Sequence, residues 1–236
     1  MHSQSVIVFL VLALVSCGIL AACGEQAEPT LTKEVQASAT PTEVLENLKL
    51  GNEMFARGEK VVIDHLADVK ATAKGQWPLV AFVDCIDSRV AVDVIFNLGL
   101  GMAFSANVAG NVVNPDILGS LEYACAVAGS KLVVVLGHTN CGAIKGAADG
   151  VELGNLTGLL KKLQPALDAV PDDGSPRTSK NEIFTGMASH ANVRHQIGRI
   201  RRESPVLKKL EDEGKIRIVG AVYDVATAKV TWHETE

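Results

Sequence analysis

The sequence predicts an α/β fold with a mainly parallel β-sheet flanked by helices. Three observations carry that expectation. Leu79 to Val83 and Lys131 to Gly137 are short apolar runs without polar alternation, the pattern of strands buried on both faces. Ile216 to Tyr223 is a further strand candidate, Met102 to Ser105 another, and Lys229 to His233 a short edge strand. Helical patterns separate them at Val90–Phe96, Pro115–Ala128, Cys141–Ala148, Leu156–Ala169 and Lys180–Arg202. Strands alternating with helices call for right-handed crossovers between parallel neighbours.

In chain order, the first element is an apolar segment. Val6 to Val15 is uninterrupted by any polar residue, and Leu20-Ala21-Ala22-Cys23 follows. An apolar run ending in small residues is the pattern of a secretory signal, and this ending also resembles the bacterial lipobox, which would make Cys23 a lipidated first residue. An ordinary cleaved signal and an uncleaved anchor over Val6–Cys23 are the other readings. Each of them exports the rest of the chain, to the periplasm or to a membrane-tethered position. Residues 1–23 are thus taken as a signal segment, 24–39 as a flexible polar tether, and 40–236 as one α/β catalytic domain. Thr40-Pro41-Thr42-Glu43 has the form of a helix start with a capping box. Val44, Leu45, Leu48 and Phe55 repeat at helical spacing, and Gly58 is the expected stop. Residues 171–180 form a Pro/Asp/Gly/Ser loop.

Composition narrows the functional classes. The 236 residues are 47% hydrophobic and 21% charged, which excludes a disordered or fibrous chain. Aromatics are only 4% and the net charge is −5, so neither stacking platforms nor a basic footprint for nucleic acid is present. Five cysteines are too few for a disulfide scaffold and enough for a metal site.

Ligands in α/β sheets bind beyond the carboxyl ends of strands. Asp84-Cys85-Ile86-Asp87-Ser88-Arg89 follows the first strong strand, and His138-Thr139-Asn140-Cys141 follows the second. If those strands are neighbours, Cys85, His138 and Cys141 meet. Two thiolates and an imidazole are a zinc set with a fourth position left for water. Cys141 at a helix N-terminus gains thiolate character. Arg89 can hold Asp87 ionised. That carboxylate can then orient a water at the open position, or occupy the position itself. Cys125, in an Ala-rich stretch, reads as a small core residue. His65, His190, His195 and His233 read as solvated or hydrogen-bonded side chains, and Arg194 to Arg202 as a solvated face or an oligomer surface.

Cys85-Ile86-Asp87-Ser88-Arg89 followed by His138-Thr139-Asn140-Cys141 resembles the signature of the β-class carbonic anhydrases. Val108 to Val113, Gly119 to Tyr123, Gly137 to Thr139 and Gly220 to Asp224 are similar to the same family. The resemblance implies Zn2+ held by Cys85, His138 and Cys141, a catalytic dyad of Asp87 and Arg89, and a homodimer or homotetramer. It also implies reversible hydration of CO2 to bicarbonate. A CS2 or COS hydrolase on the same fold, or a non-catalytic zinc-binding lipoprotein, are the alternatives. The sequence departs from the family near Gly99, at Met102 (where an acid is usual) and at Asn107 (where an arginine is usual). Loss of both charges at once suggests removal of a paired interaction, expected to be non-additive in a double-mutant cycle. Bicarbonate inhibition that depends on that arginine is not expected here.

Overall fold

The computed structural model describes residues 31–59 and 61–233. The signal segment expected over 1–23 and the start of the expected tether lie outside the described residues. Among the described residues, no helix is long and apolar enough to cross a membrane.

The expected tether is a docked element from Lys33 onward. Helix α1 (Lys33–Ser38) is capped by the Thr32 side chain. Gln36 is buried, and its amide donates to the carbonyls of Pro78 and Ala128, both at 2.8 Å. The sequence showed no apolar period here because this docking runs through one polar side chain. Gly129, with φ of +88°, leaves the space that Gln36 occupies.

Helix α2 (Pro41–Ala56) begins with the expected capping box: Thr40 and Glu43 satisfy each other's backbone N–H groups. Val44, Leu45 and Leu48 are its buried face. Gly58, with φ of +71°, follows its end, as a left-handed residue commonly does. Helix α3 (His65–Thr72) follows, capped by Asp64. It buries no residue, so it left no apolar period in the sequence.

Strand β1 (Val80–Asp84) is buried at every position. The expected helix over 90–96 shrinks to one turn, α4 (Val92–Ile95), ended by Asn97 in the left-handed region. Strand β2 (Ala103–Asn107) is followed by a 3-10 turn at Ala109–Asn111. Helix α5 (Pro115–Glu122) starts from an Asn114 cap and continues as a π-helical turn through Val127. Strand β3 (Leu132–His138) is wholly buried and leads into α6 (Gly142–Ala148). The helix expected over 156–169 is two helices, α7 (Gly154–Lys161) and α8 (Gln164–Asp168). Pro165 causes the break: it has no N–H to donate, and its ring would clash with the Lys161 carbonyl. Helices α9 (Glu182–Glu203) and α10 (Pro205–Asp212) meet at Ser204, whose hydroxyl caps the second. Strands β4 (Arg217–Tyr223) and β5 (Val230–Trp232) are the last elements among the described residues.

The sheet order is β2-β1-β3-β4-β5. The first four strands are parallel and β5 is antiparallel to β4. On one face, α2 and α4 pack through Leu45, Leu48, Ile95 and Phe96 onto Phe82, Val134 and Leu136. On the other, α5, α9 and α10 pack through Leu121, Val193, Ile197 and Leu207 onto Val83, Val133 and Val135. Each such fully buried aliphatic side chain contributes roughly 1.5–3 kcal/mol relative to exposure. Cys125 is buried, which pushes its thiol up to about 12, as fits a core residue. Arg199 and Arg201 are engaged within the chain, with Glu203 and the Val113 carbonyl, and with Glu211. His190 and His233 hydrogen-bond to each other at 2.9 Å.

Helix α2 packs so closely on the turn after α4 that a Cβ at Gly51 would lie 2.2 Å from the Phe96 carbonyl oxygen. Gly51→Ala should therefore lower stability by about 1–3 kcal/mol, despite a helix-propensity gain of about 1 kcal/mol. A thermal scan showing an unchanged or raised Tm would contradict this packing.

Candidate metal centre

Parallel register brings the site together. Val83 stands opposite Val135, so Cys85 and His138 emerge beyond the same edge of neighbouring strands. Cys85 is the first residue after β1. His138 ends β3, and the Thr139–Asn140 turn, with Asn140 at φ of +58°, delivers Cys141 to the start of α6. Thr139 is pinned from both sides: its N–H donates to the Tyr223 carbonyl, and its hydroxyl accepts from the Val225 N–H at 3.1 Å.

One ligand atom from each of Cys85, His138 and Cys141 lies within 4.8 Å of the others, and all three residues are buried. A tetrahedral zinc with bonds of about 2.3 Å to sulfur and about 2.0 Å to nitrogen needs donors about 3.5–3.8 Å apart, so the set fits with small side-chain adjustments. His138 supplies an independent sign. Its ring is 1% exposed. Nδ1 lies 2.9 Å from the Thr139 carbonyl oxygen, where a ring N–H donates, while Nε2 is buried without a hydrogen-bond partner. A carbonyl on Nδ1 fixes the tautomer that leaves the Nε2 lone pair free for a metal.

The two sulfurs differ. Cys85 Sγ accepts from the Gly110 N–H at 3.3 Å. Donation from the Cys141 thiol first, then from the Gly110 N–H, holds Cys85 well below the ordinary thiol range. Cys141 is pushed up by sharing its proton with Cys85 and by burial. Stripping the metal and adding diamide is expected to oxidise both thiols to a Cys85–Cys141 disulfide as the diamide is reduced to its hydrazine, while Cys125 stays free. Peptide mapping that finds Cys85 and Cys141 still reduced would contradict the geometry.

Asp87 and Arg89 form a closed unit at the mouth. Arg89 Nε donates to Oδ1 at 2.8 Å and one terminal nitrogen to Oδ2 at 2.7 Å. The Arg89 backbone N–H also donates to Oδ1, at 3.1 Å, and the guanidinium reaches the Asn140 carbonyl at 3.3 Å. The Arg89 guanidinium beside Asp87 holds its carboxyl down to about 2. Oδ2 lies 3.9 Å from His138 Nε2. The carboxylate therefore faces the centre while Arg89 holds both of its oxygens, and it stands outside the convergent donor set.

Met102 and Asn107 are not a pair. They flank opposite ends of β2, and their five-residue spacing places them on opposite faces of an extended strand. Met102 packs against the α2–α4 core, and its sulfur accepts from the Gly99 N–H. Asn107 donates to Asp84 Oδ2 at 2.6 Å, and the Ser105 hydroxyl donates to Oδ1 at 2.8 Å. Substitutions at 102 and 107 should accordingly be close to additive. Burial raises Asp84 to about 6. Asp84 carries no signal in the sequence, because an acid at a strand end is ordinary there. Its donors come from β2, and only the register reveals them.

A carbonic anhydrase family profile matches residues 80–230, which spans the four parallel strands and every residue of the centre. The chain belongs to the β-carbonic anhydrase family. It is 32% identical over 197 residues to carbonic anhydrase 2 of Mycobacterium tuberculosis, covering 80% of this chain and 90% of that protein. It is 29% identical over 199 residues to the carbonic anhydrase of Mycolicibacterium smegmatis, covering 82% and 93%. Among solved structures it resembles the Coccomyxa β-carbonic anhydrase in complex with acetazolamide, with a TM-score of 0.63, 25% identity, and coverage of 83% and 86%. It also resembles a tetrameric β-carbonic anhydrase from Sordaria macrospora, with a TM-score of 0.59, 25% identity, and coverage of 68% and 82%. The expected β-carbonic anhydrase fold is thus the observed one, and the Cys85, His138 and Cys141 cluster of this β-carbonic anhydrase fits the zinc site expected from its motifs.

Proposed function

We propose that this β-carbonic anhydrase catalyses the reversible hydration of CO2 to bicarbonate and a proton at a zinc held by Cys85, His138 and Cys141. The observation that carries the reading is the convergence of those three donors beside an Arg-held carboxylate. Bound zinc supplies a Lewis acid that makes a water molecule nucleophilic near neutral pH. Asp87 accepts a hydrogen bond from the attacking water and so orients a lone pair toward the CO2 carbon. Arg89 keeps that carboxylate ionised and prevents it from swinging onto the metal. Cys85 and Cys141 pack in a buried apolar cluster with Val112, Ile144, Leu163 and Phe184, which shields the sulfurs from water on that side. Stopped-flow hydration of CO2 by the zinc-loaded chain should give kcat/KM of about 10⁶ M⁻¹s⁻¹ or more, within the usual enzymatic range. Runs with CS2 and COS should show much slower turnover. One zinc per chain with no CO2 hydration would reject the proposal.

The active form is an oligomer of this chain. Among the described residues β2 pairs only with β1, so its outer edge offers unpaired backbone groups to another strand. A groove of about 830 Å³ runs along that edge, lined among others by Phe104, Ser105, Asn107, Ile117 and Tyr123. Tyr123 is 52% exposed and Val127 72%, an unusual exposure for large side chains on neighbouring positions. A two-fold pairing at this edge buries both. Light scattering should find two or four chains for the parent and one for Tyr123→Glu/Val127→Glu. A monomeric parent would contradict it.

The apolar start of the chain supports export, with lipidation at Cys23 as the specific form proposed. Mass spectrometry of the mature N-terminus tests it: a diacylated Cys23 supports it, and an unmodified or uncleaved terminus rejects it.

A further inference from the structure

A buried polar chain crosses the core from α9 to the metal ligand Cys85. The Val113 N–H donates to Gln196 Oε1 at 2.9 Å. Gln196 Nε2 donates to Asn192 Oδ1 at 2.9 Å. Asn192 Nδ2 donates to the Gly110 carbonyl at 2.8 Å and to Asn111 Oδ1 at 3.2 Å. The Gly110 N–H then meets Cys85 Sγ. Asn192 is 1% exposed and Gln196 is fully buried. Burying two primary amides is costly unless each is satisfied; here Asn192 bonds the 109–111 turn itself, and Gln196 holds Asn192 and the Val113 N–H just beyond the turn.

That turn needs holding. Gly110 has φ of +70° and Asn111 φ of +43°, two left-handed residues in succession. A Cβ at Gly110 would lie 3.0 Å from Leu163 and 3.2 Å from Ala143, so the backbone itself fills the space beside the site. Left to itself, the turn would relax toward commoner dihedrals, and the Gly110 N–H would leave the sulfur. We infer that Asn192 and Gln196 are positioning residues for the zinc ligand Cys85: they clamp the 109–111 turn so that its N–H stays on the ligand sulfur. This rests on the zinc reading above. An N–H donor on a thiolate lowers the energy of its lone pairs and fixes its direction, and partners of this kind alter metal affinity by about 10–100-fold.

The test uses Asn192→Leu and Gln196→Met in the full chain, with Leu207→Ala as a control for lost core packing. Leu207 is fully buried in the same cluster as Val193 and Ile197 and makes no hydrogen bond to Asn192, Gln196 or the 109–111 turn. Two readouts other than turnover are taken. One is the rate at which zinc passes to a chromogenic chelator. The other is the sulfur-to-metal charge-transfer band of the Co2+-substituted protein. Asn192→Leu should speed zinc release by about 10–100-fold and move the band to lower energy, because the sulfur loses its donor. Gln196→Met should move both in the same direction by less, and it decides the matter if Asn192→Leu does not fold. Leu207→Ala should lower Tm and move neither. Parent-like release and band position in the folded variants would overturn the inference. So would a control that moves them equally for the same loss of Tm. Absence of zinc from the parent would instead overturn the zinc reading, so the two failures are distinguishable.

Discussion

Cys85→Ser and Cys141→Ser are each expected to abolish stoichiometric zinc and to reduce CO2 hydration by at least about 10³-fold, which corresponds to roughly 4 kcal/mol of transition-state stabilisation. The reasoning starts from the donor set. Three protein ligands converge here, and a zinc retained by one sulfur and one nitrogen would exchange readily with solvent. Serine preserves the size of the side chain, but its hydroxyl is not ionised near neutral pH and is a harder, weaker ligand for zinc than a thiolate. The two variants should differ in their metal-free state. In Cys85→Ser, Cys141 loses the sulfur with which it shares a proton. In Cys141→Ser, Cys85 loses its chief donor but keeps the Gly110 N–H. The remaining thiol of Cys141→Ser should therefore be alkylated faster by iodoacetamide than that of Cys85→Ser. Metal analysis, stopped-flow rates and alkylation rates check these outcomes together. Full zinc content in either variant would mean that the metal is held elsewhere.

Asp87→Asn is expected to leave zinc in place while lowering kcat/KM by about 10²–10⁴-fold, the scale set by loss of a positioned side chain that handles the reacting water. The amide keeps the shape but cannot accept both Arg89 contacts, and its NH2 group would face the guanidinium. Arg89→Lys should lose less, because an ammonium retains the charge but not the two parallel hydrogen bonds. Equal rates for the parent and Asp87→Asn, with zinc content confirmed, would remove Asp87 from the chemistry. A loss of zinc in Asp87→Asn would assign it a structural part instead.

The site was legible for a specific reason. Metal donors come from few residue types, and Cys85, His138 and Cys141 stand just beyond apolar runs that could only be interior strands. Placing those runs side by side was enough to bring the donors together. The strands and the capped helix at Thr40 were legible for a related reason: their patterns are local. Asn192 was hidden because its partner, Gly110, lies 82 residues away in sequence, and an asparagine within a helix carries no signal of its own. Asp84 was hidden similarly, since Ser105 and Asn107 reach it only through the β1–β2 register. Helix α1 has the composition of a tether because its anchor is one glutamine. Helix α10 is marked in the sequence by Ser204-Pro205, a capping serine before a proline at the first helical position.

Zinc K-edge absorption of the loaded protein tests most directly whether Cys85, His138 and Cys141 form the metal centre. The expected result is two sulfur scatterers at about 2.3 Å and two nitrogen or oxygen scatterers at about 2.0–2.1 Å. A first coordination sphere of oxygen and nitrogen alone, without sulfur, would contradict it.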